Sequence, residues 1–349
     1  MRVRRVEYEN GNPGEITITT KDSPPISGRA GEFTIELKKY VGFTHQARYL
    51  GSIESKIKER TVVRIISDDK RPAKDFLTPQ RTIQNLITHA TRKPCTVRSA
   101  RLHESLERGL HYTWYRFDTP PSEERIDGKS SYSRLFHAGD IDFPDLIDRW
   151  HNLTGVLHGA LDMLLGIEHE PSGYYENKLF NSASALEAFH REFFPDSTDI
   201  DRAEFDRVRL LIKNALPKSD RDVLKRFNNN PGYVKRCEEI AQIPDEQAVH
   251  LLLGDTRQWA TWLKNARNDL AHNNPPEQSK VPYAVWYYLA PVTIALLHLV
   301  LMEKLGLPPD AQRRAVERGA LEIAAYGYKA AKRRLVADKS LIRVPDNAS

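Results

Sequence analysis

The run from Val281 to Met302 limits the possible folds of this chain more than any other stretch. It is apolar over about 20 residues, enough for a helix to cross a bilayer. A stretch with no polar face must be covered on all sides, by lipid or by other helices. Pro291 and His298 interrupt it, Tyr287 and Tyr288 sit mid-run, and no second candidate span exists in the chain. The expectation is therefore no membrane. The run should form the most buried helix of a bundle, or pack against a second copy.

Its neighbours fit the bundle. From Phe143 onward apolar residues recur at helical spacing, first through Leu146, Ile147, Trp150, Leu153, Leu157, Leu161 and Leu164, up to Gly166 or Pro171. Further helices are predicted over Asn177–Phe194, Asp201–Ala215, Ser219–Asn229, Asp255–His272 and Tyr283–Leu305. The first part reads differently. Gly14–Thr20 and Phe33–Leu37 alternate, Val62–Ile66 is β-branched, and Thr96–Leu102 and His111–Phe117 again suggest strands. One amphipathic helix is predicted over Thr78–Ala90, and Asp118–Lys129 reads as a linker. The fold class expected is α+β, a β-rich N-terminal module with one helix followed by an all-α bundle. The divisions are 1–140, 141–308, and a basic C-terminal helix and tail over 309–349.

A chain of 349 residues with 40% hydrophobic content can bury a sizeable core. Cys95 and Cys237 stand far apart with no CxxC or Cys-His pairing, so neither a disulfide framework nor a zinc site is supported. No apolar h-region follows the basic start Met1–Arg5, so a secretory signal is not read and a cytoplasmic setting is expected. Of the formal charge of +5, an equal surplus sits between Ala311 and Lys339, where eight basic residues, Arg333 and Arg334 among them, face three acidic ones. That segment suits a polyanion or a solvated helix face.

The stretch richest in chemistry is Asp255–His272. Trp259, Trp262, Leu263, Ala266 and Leu270 form an apolar stripe, Asp255 or Thr256 can cap the start, and Asn273–Pro276 stops the helix. Arg267 falls about 80° from the centre of the stripe, Asn268 and His272 about 180° and 220°. Three groups able to donate or exchange protons therefore lie within six residues near the helix stop.

Arg267-Asn268-x-x-x-His272 resembles the Arg-polar-spacer-His signature of the HEPN superfamily, helical domains many of which are metal-independent ribonucleases. Upstream, Glu176–Phe180 leading into Ala185–Arg191 looks like the second helix of the ApeA-like branch. The segment Thr78–Thr88, running on to Pro94, looks like the N-terminal domain that accompanies it. The resemblance covers about Thr61 to about Leu305. It implies an endoribonuclease of anti-phage defence with no cofactor, in which Arg267 clamps the phosphate, His272 acts as base or acid, and Asn268 orients one of them. It also implies a homodimer with two motifs facing one cleft, helped by the apolar helix Tyr283–Leu305, and a β-rich module that answers a phage-derived trigger or an inhibitory partner. The alternative is a non-catalytic HEPN-type module that binds a nucleotide, RNA or a protein.

Structural readings compete at each site. Arg267 can pair with Asp269 or another carboxylate on the surface while His272 merely caps the helix. Glu187-x-x-His190 has metal-ligand spacing, but no second such pair stands at a matching place; in the bundle the two would line or support the cleft, and the competing reading is a surface Glu and a packed His. Arg333 and Arg334 are candidates for substrate contact. His151 and His158, with Asp162 beyond, can equally be a polar seam. No GxxxxGK[ST], GxGxxG or GxSxG occurs, so NTPase, dinucleotide and α/β-hydrolase readings lack their carriers.

Overall fold

The structure, a computed structural model, describes residues 24–47, 53–97, 99–103, 111–114, 134–137, 139–170, 173–272, 274 and 279–341. The strand expected over Gly14–Thr20 and the linker over Asp118–Lys129 lie outside them. The chain divides into two compact units, 1–80 with 142–148, and 81–141 with 149–349. The helix expected to belong to the N-terminal module therefore has its residues from Arg81 onward in the second unit.

In the first unit, β1 (Ile26–Ala30), β2 (Phe33–Ala47) and β3 (Ile53–Ser67) form an antiparallel sheet in that order. Ala30 pairs with Phe33 across a two-residue turn, where Gly31 supplies the positive φ of 59° that such hairpins require. β1 escaped the sequence reading because its Ser-Gly-Arg centre carries no β-branched pattern. Gly28 has a packing reason: a Cβ there would lie 3.0 Å from both Ile147 Cβ and Pro144 Cα.

The second unit is helical apart from β4 (Ala100–His103) paired with β5 (His111–Trp114). Its helices are α1 (Leu77–Thr91, from Arg81), α2 (Phe143–His169, from Arg149), α3 (Tyr175–Phe193), α4 (Arg202–Ala215), a 3₁₀ helix (Lys218–Arg226), α5 (Tyr233–Ala241), α6 (Glu246–Leu253), α7 (Thr256–Ala271), α8 (Tyr283–Lys304), α9 (Pro309–Arg318) and α10 (Glu322–Leu341). The predicted helix at Ser219–Asn229 is thus a 3₁₀ segment, and the single basic C-terminal helix is two. α2 is kinked at His158, whose φ of 32° breaks the helical path. His151 and His158 therefore do not share one straight face, and Asp162 pairs instead with Arg81 at 3.1 Å.

α8 is the centre of the bundle. Among the described residues it alone is long and apolar enough to span a membrane, but 78% of that window is buried within the fold. It packs against α3, α5, α6, α7, α9 and α10. Its passage through Pro291 has a local explanation. Proline strains the preceding turn, and there the Tyr175 hydroxyl enters the ladder, donating to the Trp286 carbonyl and accepting from the Ala290 N–H at 3.3 Å. Gly327 on α10 lets the Tyr288 ring lie against the helix backbone.

A buried polar chain joins α1, α2 and α8. Arg92 contacts Glu168 at 2.7 Å, Glu168 lies 3.3 Å from His298 Nε2, and His298 Nδ1 is 2.8 Å from His89 Nδ1. Burial raises the Glu168 pKa, but His298 and Arg92 outweigh it and hold the carboxyl below its usual range. An ionised Glu168 can only accept. His298 then carries its proton on Nε2, His89 donates from Nδ1, and His89 Nε2 is left as a buried lone pair without a partner.

Candidate functional site

α7 folds as its stripe predicts. Trp259, Ala260, Leu263 and Ala266 are buried, and the Asp255 carboxylate caps the start by accepting the Gln258 N–H at 2.9 Å. His272 is the C-cap residue, its backbone N–H bonded to the Asn268 carbonyl at 3.0 Å. The chain's exit is fixed by Asp269, which accepts from Asn274 Nδ2 at 3.1 Å and Ser279 Oγ at 2.6 Å. Asp269 is thereby occupied, and it is not the partner of Arg267.

Arg267 turns inward to where α3, α5 and α7 pack together. Its Nη2 donates to Glu187 Oε2 at 2.8 Å, while Arg236 of α5 donates to Oε1 of the same carboxylate at 3.2 Å. The guanidinium lies over the Tyr233 ring, 5.2 Å from its centroid, with Nε buried and unpartnered. Burial, then Cys237 and Glu187, push the Tyr233 pKa well up, so the phenol stays protonated. One carboxylate between two guanidiniums leaves the cluster with a surplus positive charge. The Arg267 side chain keeps 30% of its surface exposed.

His272 is exposed and Asn268 half-buried, and among the described residues neither side chain has a hydrogen-bond partner. Arg267 and His272 are about 7.5 Å apart along the helix axis and on different sides of it. Within one chain the structure places the guanidinium in the α3/α5/α7 junction and the imidazole at the open helix end, without bonding them to each other.

The supporting residues divide. Glu187 joins the Arg267 cluster, whereas His190, buried, contacts Glu239 at 2.6 Å, which also accepts from Ser197. The two therefore do not converge, and among the described residues no three His, Cys, Asp or Glu side chains come together as metal ligands. Arg333 and Arg334 are exposed on α10. Their neighbour Lys332 lies over Trp262 and reaches the Leu253 carbonyl, beside the start of α7. Arg267 stands about 16 Å along the axis from the start of α7, and among the described residues no bond joins these arginines to its cluster. Tyr233 and Arg236 were missed by sequence reasoning. They lie on α5, too short to stand out as a periodic segment, and only tertiary packing brings them to Glu187.

Two family models match. Apea-like HEPN matches residues 180–311, which contain Arg267, Asn268, His272, Glu187 and His190. ApeA N-terminal domain 1 matches residues 5–150. The chain is an ApeA-like HEPN protein. No curated protein and no solved structure matches it. The two ApeA-type domains fit a HEPN-type anti-phage protein. Arg333 and Arg334 fall outside the HEPN match, as they fall outside the cluster.

In this HEPN protein α8 is covered along most of its length. From Val292 to Met302 the helix is buried in its own bundle. Lys304 is exposed at its end and Tyr287 near its start. Tyr287 is 46% exposed and stacks at a tilt on Tyr175, next to Tyr174, which is 80% exposed.

Proposed function

We propose that this chain is a metal-independent endoribonuclease of anti-phage defence that acts in the cytoplasm. The observation that carries the reading is the exposed imidazole of His272 at the end of a helix whose Arg267 is held, with one positive charge to spare, by Glu187. In the reaction the 2′-oxygen attacks the adjacent phosphorus while His272 takes the hydroxyl proton. The bond from phosphorus to the 5′-oxygen breaks, and that oxygen receives a proton. The products are a 2′,3′-cyclic phosphate and a 5′-hydroxyl.

Arg267 binds the charge that builds on the phosphate, Glu187 fixes the guanidinium's direction, and Asn268 orients the imidazole or the phosphate. One imidazole cannot be base and acid in the same step, so a second copy supplies the other. The exposed tyrosines at the starts of α3 and α8 are the apolar surface for that homodimer. The N-terminal module senses a trigger or restrains the nuclease.

The pairing of Arg267 with Glu187 favours one rival, a non-catalytic HEPN-type binding module in which the salt bridge is structural. Incubation of the purified protein with total RNA in EDTA separates them. The enzyme gives cyclic-phosphate ends that disappear in Arg267→Ala and His272→Ala, and cleavage that survives in both variants would remove this site.

A further inference from the structure

Between α3 and α5 the chain leaves the bundle. α4 buries none of its residues, and the 3₁₀ helix buries only Leu224. Together they enclose a groove of about 400 Å³ whose walls carry Arg209 and Lys213 from α4, and Arg221 and Lys225 from the 3₁₀ helix. Its lone acidic lining residue is Asp206 and its floor includes Leu224. Lys225 pairs with Asp222 at 2.8 Å, both well exposed. Among the described residues Arg209, Lys213 and Arg221 pair with no carboxylate, and Arg221 Nε is buried without a partner. From Arg202 to Phe227 eight basic residues face four acidic ones, a second positive segment in a chain of only +5.

The root of this arm is fixed beside the Arg267 cluster. Asn229 accepts from the Ile200 N–H at 3.0 Å and donates to its carbonyl at 2.8 Å. Asp199 accepts from the Gly232 N–H at 3.3 Å. Gly232 is the N-cap of α5, and the next residue, Tyr233, lies under Arg267. An exposed trough with unpaired cations on both walls, rooted at the phosphate-binding arginine, suits a strand of phosphodiester more than a neutral protein face.

We propose that the arm formed by α4 and the 3₁₀ helix docks the backbone of single-stranded RNA and leads it toward Arg267. This rests on the nuclease reading and adds to it where the strand lies. The cations bind phosphates without reading bases, so docking is independent of sequence and releases counterions.

The test uses the full chain carrying His272→Ala, so that the probe is not cut, and follows a fluorescein-labelled single-stranded RNA by anisotropy over a salt series. Replacing Arg209, Lys213, Arg221 and Lys225 with Gln should weaken binding by an order of magnitude or more and flatten the plot of log affinity against log salt by about 2 to 3. These side chains lie on elements that bury almost nothing, and an unchanged circular-dichroism melt confirms the fold. Unchanged affinity and slope overturn the proposal. So does a loss that follows Arg333→Gln with Arg334→Gln instead, or an arm variant that alters the mass in sedimentation but not RNA binding, which would make the arm a contact between copies. If wild type cuts no RNA yet the arm controls binding, the arm stands without the nuclease reading. If wild type cuts and the arm is silent, the reverse holds.

Discussion

Acid should unfold the helical unit partly through one histidine. His298 is fully buried, its Nδ1 held 2.8 Å from His89 and its Nε2 3.3 Å from Glu168. Burial and the nearby Arg92 charge outweigh the pull of Glu168 and push its pKa down to about 4. In the unfolded chain an imidazole titrates near 6.5. Between those values the unfolded state binds the extra proton, so stability is present above about 6.5 and is lost as pH falls toward 4. The difference amounts to about 3 kcal/mol. His89 is depressed in the same direction by burial, His298 and Arg92, so the two rings titrate as a coupled pair. The assay is urea unfolding at closely spaced pH values, for wild type and for His298→Gln, which keeps hydrogen-bonding groups but does not titrate. Carboxylates other than Glu168, which His298 itself holds down, contribute equally to both proteins. The wild type should lose stability faster below pH 6.5 by about one proton, and parallel curves would refute the reasoning.

Three smaller effects follow from the same geometry. Asp255→Ala removes the carboxylate that accepts the Gln258 N–H and should cost about 1 kcal/mol in urea unfolding, with Asp255→Asn recovering most of it. Gly327→Ala drives a Cβ into the Tyr288 ring and should lower stability by about 1 to 3 kcal/mol, whereas Ala at exposed Gly159, where a Cβ meets nothing within 4 Å, should not destabilise. Glu187→Gln leaves Arg236 and Arg267 side by side without their shared carboxylate. Because all three groups are partly solvated, a loss of about 1 to 2 kcal/mol is expected, with weaker RNA cleavage, and a fully stable, fully active variant would deny Glu187 its positioning role.

Long, strongly periodic segments were legible in the sequence. α7 was readable to within a residue because its stripe, its Asp255 cap and its Asn-Asn-Pro-Pro stop agree, and the burial of α8 followed from its lack of any polar face. α5 and α6 were not, since nine and eight residues give too few turns for a period to emerge. The site was half legible. The spacing of Arg267 and His272 is local, but the guanidinium's direction depends on Glu187, Tyr233 and Arg236 from two other helices. The basic arm was hidden for another reason, because whole-chain charge averages it against acidic stretches elsewhere.

The most direct measurement is the cleavage rate of a defined RNA and its counterpart with a single 2′-deoxy position at the cut, in EDTA, by wild type, Arg267→Ala and His272→Ala. The account predicts cutting by wild type only where the 2′-hydroxyl is present, and a loss on the order of 10² to 10⁴ in each variant. Equal rates for wild type and His272→Ala, or cutting at the deoxy position, would contradict it.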